Sequence, residues 1–223
     1  NYTIHQNPTD TNTLTDHIED YKQSYKAAPA IATADAGYGS EENYAYLEEN
    51  KITAYVKYSQ FDREQNETIQ SKKPFTADKL FYNQTKDYYV CPMGQKMYNT
   101  GTHTQSTSTG FKQSITTYQA KNCSTCPLNG VCHKSKGNRI ISINYNLNKH
   151  KQQAKENLQS EQGIAHRKKR CYDTEPVWGN IKHNHHFKRF MLRGMKKVTV
   201  EAGLLSLAQN LRKKAAIITK NAA

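Results

Sequence analysis

Three groups of side chains in this 223-residue sequence could do chemistry. Asp35 stands in Ala34-Asp35-Ala36-Gly37-Tyr38-Gly39-Ser40, a carboxylate followed by small residues that let a backbone or a phosphate come close. Glu175 opens Glu175-Pro176-Val177-Trp178-Gly179-Asn180-Ile181-Lys182, with Lys182 seven residues on. Two carboxylates on different elements can hold Mg²⁺ or Mn²⁺ ions, which activate an attacking oxygen and stabilise the leaving one in phosphoryl displacement. The bland alternatives are a turn cap for Asp35 and a helix-dipole partner for Glu175. Asp10, Asp16 and Asp20 fall on a cap and on the exposed side of a helix, so none is a convincing third ligand. The third group is Cys91, Cys123, Cys126 and Cys132, followed by His133. Four thiolates with one C-x-x-C pair can close a tetrahedral Zn²⁺ site if the chain folds back, and His133 could replace Cys132; free thiols or a vestigial site are the alternatives. Cys171 reads as an ordinary thiol.

The elements that must position these groups are legible in part. Leu14, Ile18, Tyr21 and Tyr25 recur at helical spacing over Thr13 to Ala27, and Pro29 ends that helix. Ala30 to Ala34 reads as a short buried strand ending at Asp35. Ser40 caps a helix through Asn50, and Ile52 to Tyr58 is a second strand. Strand, glycine turn, helix and strand form a β-α-β unit whose right-handed crossover makes the strands parallel. It places Asp35 at the carboxyl end of a parallel strand, where α/β sheets bind ligands. Tyr2 to His5 alternates weakly, as the end of a strand would. Tyr82 to Val90 reads as a hairpin-like strand, Thr100 to Gly110 as a polar loop, Arg139 to Tyr145 as a last strand, and Asn148 to Ser160 as a polar helix. Asp173 or Thr174 suits the cap of a helix through Ile181. A final helix over Val198 to Ile218 carries a packing stripe of Leu204, Leu205, Leu207, Ala208 and Leu211.

Charge is divided between the halves. Residues 1–90 carry 14 acids against 9 Lys and Arg, and residues 91–223 carry 5 acids against 23, so a net charge of +13 hides a strongly basic second half. Ten Lys and Arg, four His and two acids fall within residues 163–197, which favours a polyanionic partner. His183, His185 and His186 belong to that basic surface. Leu, Ile, Val and Phe make up 36 residues, a thin core for this length. No run of 18 apolar residues exists and the first residues do not resemble a signal peptide, which argues for a cytoplasmic protein without a membrane partner.

The segments His5-Gln6-Asn7-Pro8-Thr9-Asp10-Thr11, Ala34 to Ser40, Ala54-Tyr55-Val56-Lys57, Glu175 to Lys182 and Phe187-Lys188-Arg189-Phe190 to Arg193-Gly194 resemble bacterial insertion-sequence transposases of the DDE type. The resemblance implies an α/β ribonuclease H-like fold of the retroviral-integrase superfamily, with Asp35 as the second catalytic Asp, Glu175 as the catalytic Glu and Lys182 as the signature Lys. The family's first Asp would lie upstream, so the fold is expected to be N-terminally incomplete and the chain inactive alone. Residues 1–58 and 150–223 would form the core, and 59–149 an insert with the candidate zinc site. The family's basic residue ahead of the Glu falls here on Cys171, with Arg170 one place off. The implied activity is Mg²⁺- or Mn²⁺-dependent cleavage and strand transfer on transposon-end and target DNA by a homo-oligomer when full length. Arg170, Lys188, Arg189 and Arg193 would hold DNA, and Trp178 or Tyr172 would stack on a base or, as favoured for Trp178, pack. The rival reading is a non-catalytic, zinc-bearing DNA-binding module.

Overall fold

Leu14 and Ile18, one helical turn apart, are buried on one side of helix α1 (Leu14–Tyr25), which stops at Lys26 in the left-handed region, φ 55°. Strand β1 (Ile31–Ala34) follows, then helix α2 (Glu41–Glu49) and strand β2 (Thr53–Val56). In the computed structural model, which describes residues 1–222, β1 and β2 pair in parallel with Ile31 opposite Thr53 and Ala34 opposite Val56. The Ser40 hydroxyl accepts from the Asn43 amide at 3.2 Å and starts α2. Gly39 permits the tight return: a Cβ there would lie 2.7 Å from the Tyr58 Cα and against the Lys57 carbonyl. The turn carrying Asp35 is thereby pressed onto the end of β2.

Short helices α3 (Phe61–Glu64) and α4 (Glu67–Ser71) lead into a second sheet. Its strands β3 (Phe81–Asn83), β4 (Tyr88–Val90), β5 (Lys96–Ser106), β6 (Lys112–Ala120) and β7 (Ile140–Ile143) are antiparallel neighbours in chain order. The polar loop expected over Thr100 to Gly110 is therefore corrected: most of it is strand β5. Threonine is β-branched and stiff, and it pairs across the ladder, Thr102 with Thr116 at 2.9 Å and Thr100 with Thr117 at 2.8 Å between hydroxyls. Polarity marked the segment as loop, whereas side-chain shape decided its conformation.

The chain returns to the first sheet through helix α5 (Tyr145–Gln159), capped by Asn144, whose side-chain amide also donates to Glu41 at 2.6 Å. Ala154 and Leu158 of α5 are buried with Leu14, Ile18, Tyr44, Leu47, Ile52, Tyr55, Val56, Tyr58 and Phe61 in one core. A second core of Tyr89, Met97, Tyr118, Ala120, Cys123, Ile141 and Ile143 lies under the antiparallel sheet. Helix α6 (Glu161–Asp173) begins where Gly163 sits against the Asn157 carbonyl, leaving no room for a side chain. Helix α7 (Glu175–Gly179) continues into a π turn, Asn180–Asn184, and helix α8 (Met195–Ala222) ends the described chain.

Three further expectations are corrected. Tyr2 to His5 joins no strand; its side chains tie it down, the Tyr2 hydroxyl donating to the Thr199 carbonyl and Thr3 bonding His17, each at 3.0 Å. Thr174 makes no side-chain cap, because α6 runs almost directly into α7 and the Thr174 amide already bonds the Arg170 carbonyl. The stripe of α8 is mostly not packed: Leu205 is half-buried, but Leu204 and Leu211 are 64% and 59% exposed, and the residue α8 buries is Ala202.

Candidate functional site

Asp35 directly follows β1, and its Oδ1 accepts from the Gly37 amide at 3.0 Å, which fixes one oxygen and leaves the other free to face outward. Arg170 meets that second oxygen. Its Nη2 lies 3.2 Å from Asp35 Oδ2, and its Nη1 lies 3.8 Å from Glu175 Oε1. Two acids 140 positions apart thus converge on one guanidinium. The sequence explains why α6 delivers Arg170 there. Gln162, His166 and Arg170 follow one another at four-residue spacing on one face. Gln162 accepts from the Tyr55 hydroxyl at 3.1 Å, and the His166 ring stacks on Tyr55 at 4.8 Å. One turn on, the same face reaches the end of β1. The Arg167 guanidinium, 5.2 Å from the Phe61 ring centre, braces the helix from beside that row. Arg170 reaches both acids although the family resemblance puts the basic residue at position 171. Cys171 is exposed, its thiol directed at the Arg167 carbonyl at 3.5 Å.

Asp10, set aside on sequence grounds, stands beside this site. It opens a short 3-10 turn, Asp10–Asn12, packed on the turn after Asp35. A Cβ built on Gly37 would lie 3.1 Å from Asp35 Oδ1 and 4.0 Å from the Asp10 Cβ. Thr11 donates to the Gly37 carbonyl at 2.9 Å and Asn43 to the Thr11 carbonyl at 2.8 Å, fastening the two turns together. Only the contact between segments could have revealed Asp10. The Tyr38 hydroxyl between them is held above the usual phenol range, first by burial and further by the charges of Asp10 and Asp35; a Thr13 hydrogen bond and Arg170 oppose that.

Most of the other predicted residues lie further along the chain, beyond Glu175. Lys182 lies on the π turn, its ammonium 5.9 Å from the Trp178 ring centre, and the buried Ile181 anchors that turn. Trp178 is 54% exposed, so the packing role expected of it is corrected; it shields Lys182 from one side and otherwise faces solvent. Tyr172, Lys188, Arg189, Arg193, His183, His185 and His186 are all exposed. Arg170, Asp35 and Glu175 are 27%, 47% and 58% exposed, so water screens each pair and each contributes about 0.2 to 1 kcal/mol.

The cysteines gather elsewhere. Cys91, Cys123, Cys126 and Cys132 line one cavity of about 20 Å³ with His133 and Arg139. Among the described residues, no three His, Cys, Asp or Glu side chains stand ready to hold a metal ion, here or beside Asp35. Arg139, 5% exposed, donates through Nη1 to Cys132 Sγ at 2.8 Å and through Nη2 to the Phe75 carbonyl.

A protein-family model described as Transposase DDE domain matches residues 90–215, which is 126 of 223 residues. The chain belongs to the DDE transposase family. The match takes in the four clustered cysteines, Arg170 and Glu175 of this transposase, and Asp35 precedes it. No curated protein and no solved structure matches the chain. The mixed α/β architecture with its antiparallel sheet is compatible with an α/β transposase domain. Among the described residues, no helix is long and apolar enough to cross a membrane.

Proposed function

We propose that Asp35 and Glu175 jointly hold a divalent cation, Mg²⁺ or Mn²⁺, for DNA strand cleavage and strand transfer in transposition. One observation supports this above the others: a single guanidinium bridges both carboxylates, occupying the place a cation would take. When bound, such an ion supplies Lewis acidity to the phosphoryl oxygens and to the attacking hydroxyl. Before it arrives, Arg170 offsets the repulsion between the two acids, and the Gly37 amide holds Asp35 in its orientation. Asp35 and Glu175 would offer the ion carboxylate oxygens, the donors a hard cation prefers. With a cation held there, the Arg170 guanidinium would be free for a DNA phosphate, alongside Lys182, Lys188, Arg189 and Arg193. The finer fold reading is a ribonuclease H-like core of residues 1–58 and 150–223 with 59–149 as an insert, acting as a homo-oligomer in the cytoplasm.

A second reading has one observation in its favour. Arg170 already satisfies both acids, as it would in a non-catalytic DNA-binding module whose carboxylates are structural. Nicking of transposon-end DNA with Mg²⁺ separates the two, using the transposase and its Asp35→Ala and Glu175→Ala variants. The catalytic reading expects both variants to lose nicking while still binding DNA; equal nicking by all three removes the assigned site. DNA binding that weakens with salt is common to both readings.

A further inference from the structure

At the cysteine cavity one buried group lacks a counter-charge and another lacks a hydrogen-bond partner. The Arg139 guanidinium has no carboxylate within ion-pair distance among the described residues. A buried cation without a counter-charge is costly. His133 Nε2 is shut off from solvent with no hydrogen-bond partner, while Nδ1 is held by the Ser135 hydroxyl at 2.7 Å. Both residues line the same cavity as the four cysteines.

The backbone around those sulfurs is already shaped. Cys91-Pro92-Met93-Gly94-Gln95 forms a tight turn at the end of β4. Gly94 has φ +80°, the Cys91 amide donates to the Gln95 carbonyl at 2.8 Å, and the Gln95 amide points at Cys91 Sγ at 3.3 Å. On the opposite wall the Cys126 amide donates to the Cys123 carbonyl at 3.3 Å, and the Arg139 amide points at Cys123 Sγ at 3.4 Å. The Gln95 side chain clamps the two walls, donating to the Asn122 carbonyl at 2.6 Å and accepting from the Asn122 amide at 3.1 Å. A cavity of about 20 Å³ has room for a water-sized occupant.

We infer that this cavity is a structural Zn²⁺ site with Cys91, Cys123, Cys126 and Cys132 as its four ligands, and that Arg139 and His133 are its outer partners. Four thiols that bind Zn²⁺ release four protons and leave a cluster of net charge −2. The Arg139 guanidinium, already on Cys132, offsets one of those charges. His133, in a form that carries a proton on Nε2, would donate to a thiolate sulfur, while its Nδ1 and the Ser135 hydroxyl share a hydrogen bond whose direction follows the tautomer. The ion would draw the sulfurs inward from the positions they hold here, and the thiolates would supply Arg139 with a counter-charge and His133 Nε2 with a partner. Its effect is to fasten the end of β4 to the loop between β6 and β7, so that β7 leads Asn144 onto Glu41 at the start of α2. The site stands independently of the catalytic reading, because it shares no residue with Asp35 and Glu175.

The test is metal content and Co²⁺ substitution on the whole chain. Elemental analysis is expected to find one zinc per chain, and the Co²⁺ form to give the spectrum of a tetrahedral four-thiolate site. Cys126→Ser and Cys132→Ser are expected to lose stoichiometric metal. His133→Asn and Arg139→Gln keep it with affinity weakened about 10- to 100-fold, as outer partners do. Circular dichroism of each variant separates lost metal from lost fold. Absence of zinc in wild-type protein that also fails to take up Co²⁺ overturns the site. Full metal in Cys132→Ser combined with loss in His133→Asn overturns the ligand set. A Cys123–Cys126 disulfide in freshly isolated protein overturns both.

Discussion

If the Arg170 guanidinium stands where a cation should sit, removing it must make room. Arg170→Ala deletes contacts at 3.2 Å to Asp35 and 3.8 Å to Glu175. Two unit charges 4 Å apart in water attract by about 1 kcal/mol, and exposed pairs measure about 0.2 to 1 kcal/mol once side-chain entropy is counted. With the three side chains between a quarter and three-fifths exposed, the two contacts together come to roughly 0.5 to 2 kcal/mol. A divalent ion entering between the carboxylates must displace that interaction in the wild type and not in the variant. At about 1.4 kcal/mol per tenfold, Arg170→Ala should therefore bind Mn²⁺ about 2- to 30-fold more tightly. Isothermal titration at low ionic strength reads this directly, and the difference should shrink as salt is added. Strand cleavage should fall in the same variant, because the side chain freed for a phosphate is gone. Mn²⁺ affinity that is unchanged or weaker in Arg170→Ala would refute the reasoning.

Other consequences are more local. Gly39→Ala should destabilise by about 1 to 3 kcal/mol in urea titrations and weaken Mn²⁺ binding, since a methyl group collides with the end of β2 and displaces the Asp35 turn. Leu158→Ala, emptying a fully buried position where α5 meets β2, should cost about 2 to 5 kcal/mol in the same assay. Hydrogen bonds from Tyr118, Asn99 and Tyr82 hold the Asp87 carboxyl below the usual Asp value. The stability it adds is present above pH 3.8 and lost as pH falls through its lower folded value, so Asp87→Asn should flatten that acid limb of the melting curve. Burial likewise lowers His17 below 6.5, so acidification from neutral pH should destabilise the wild type more than His17→Gln.

The parallel β-α-β unit was readable because its signals are local: a small apolar run, two glycines, a serine cap and a second apolar run. Strand β5 was not, since composition separates polar from apolar and says little about a threonine ladder whose stability comes from its partner strand. Asp35 and Glu175 could be chosen by position and by family likeness, but their meeting depends on α6, whose row of Gln162, His166 and Arg170 acquires meaning only once Tyr55 lies beneath it. Asp10 was set aside for the same reason: its proximity to Asp35 arises from the packing of two short turns. The stripe on α8 carried the periodicity of a packed helix and yet faces outward, because periodicity reports what a helix can bury and not whether a neighbour covers it.

Iron-directed cleavage of the polypeptide tests the central claim most directly. Fe²⁺ loaded in place of Mg²⁺, with ascorbate and peroxide, cuts the backbone wherever it is bound. The account predicts two clusters of cuts in one protein, near residues 35–38 and 170–175, both suppressed by excess Mg²⁺ and both abolished by either Asp35→Asn or Glu175→Gln. Cuts at one segment alone, or two clusters that respond separately to the two substitutions, would contradict a shared ion.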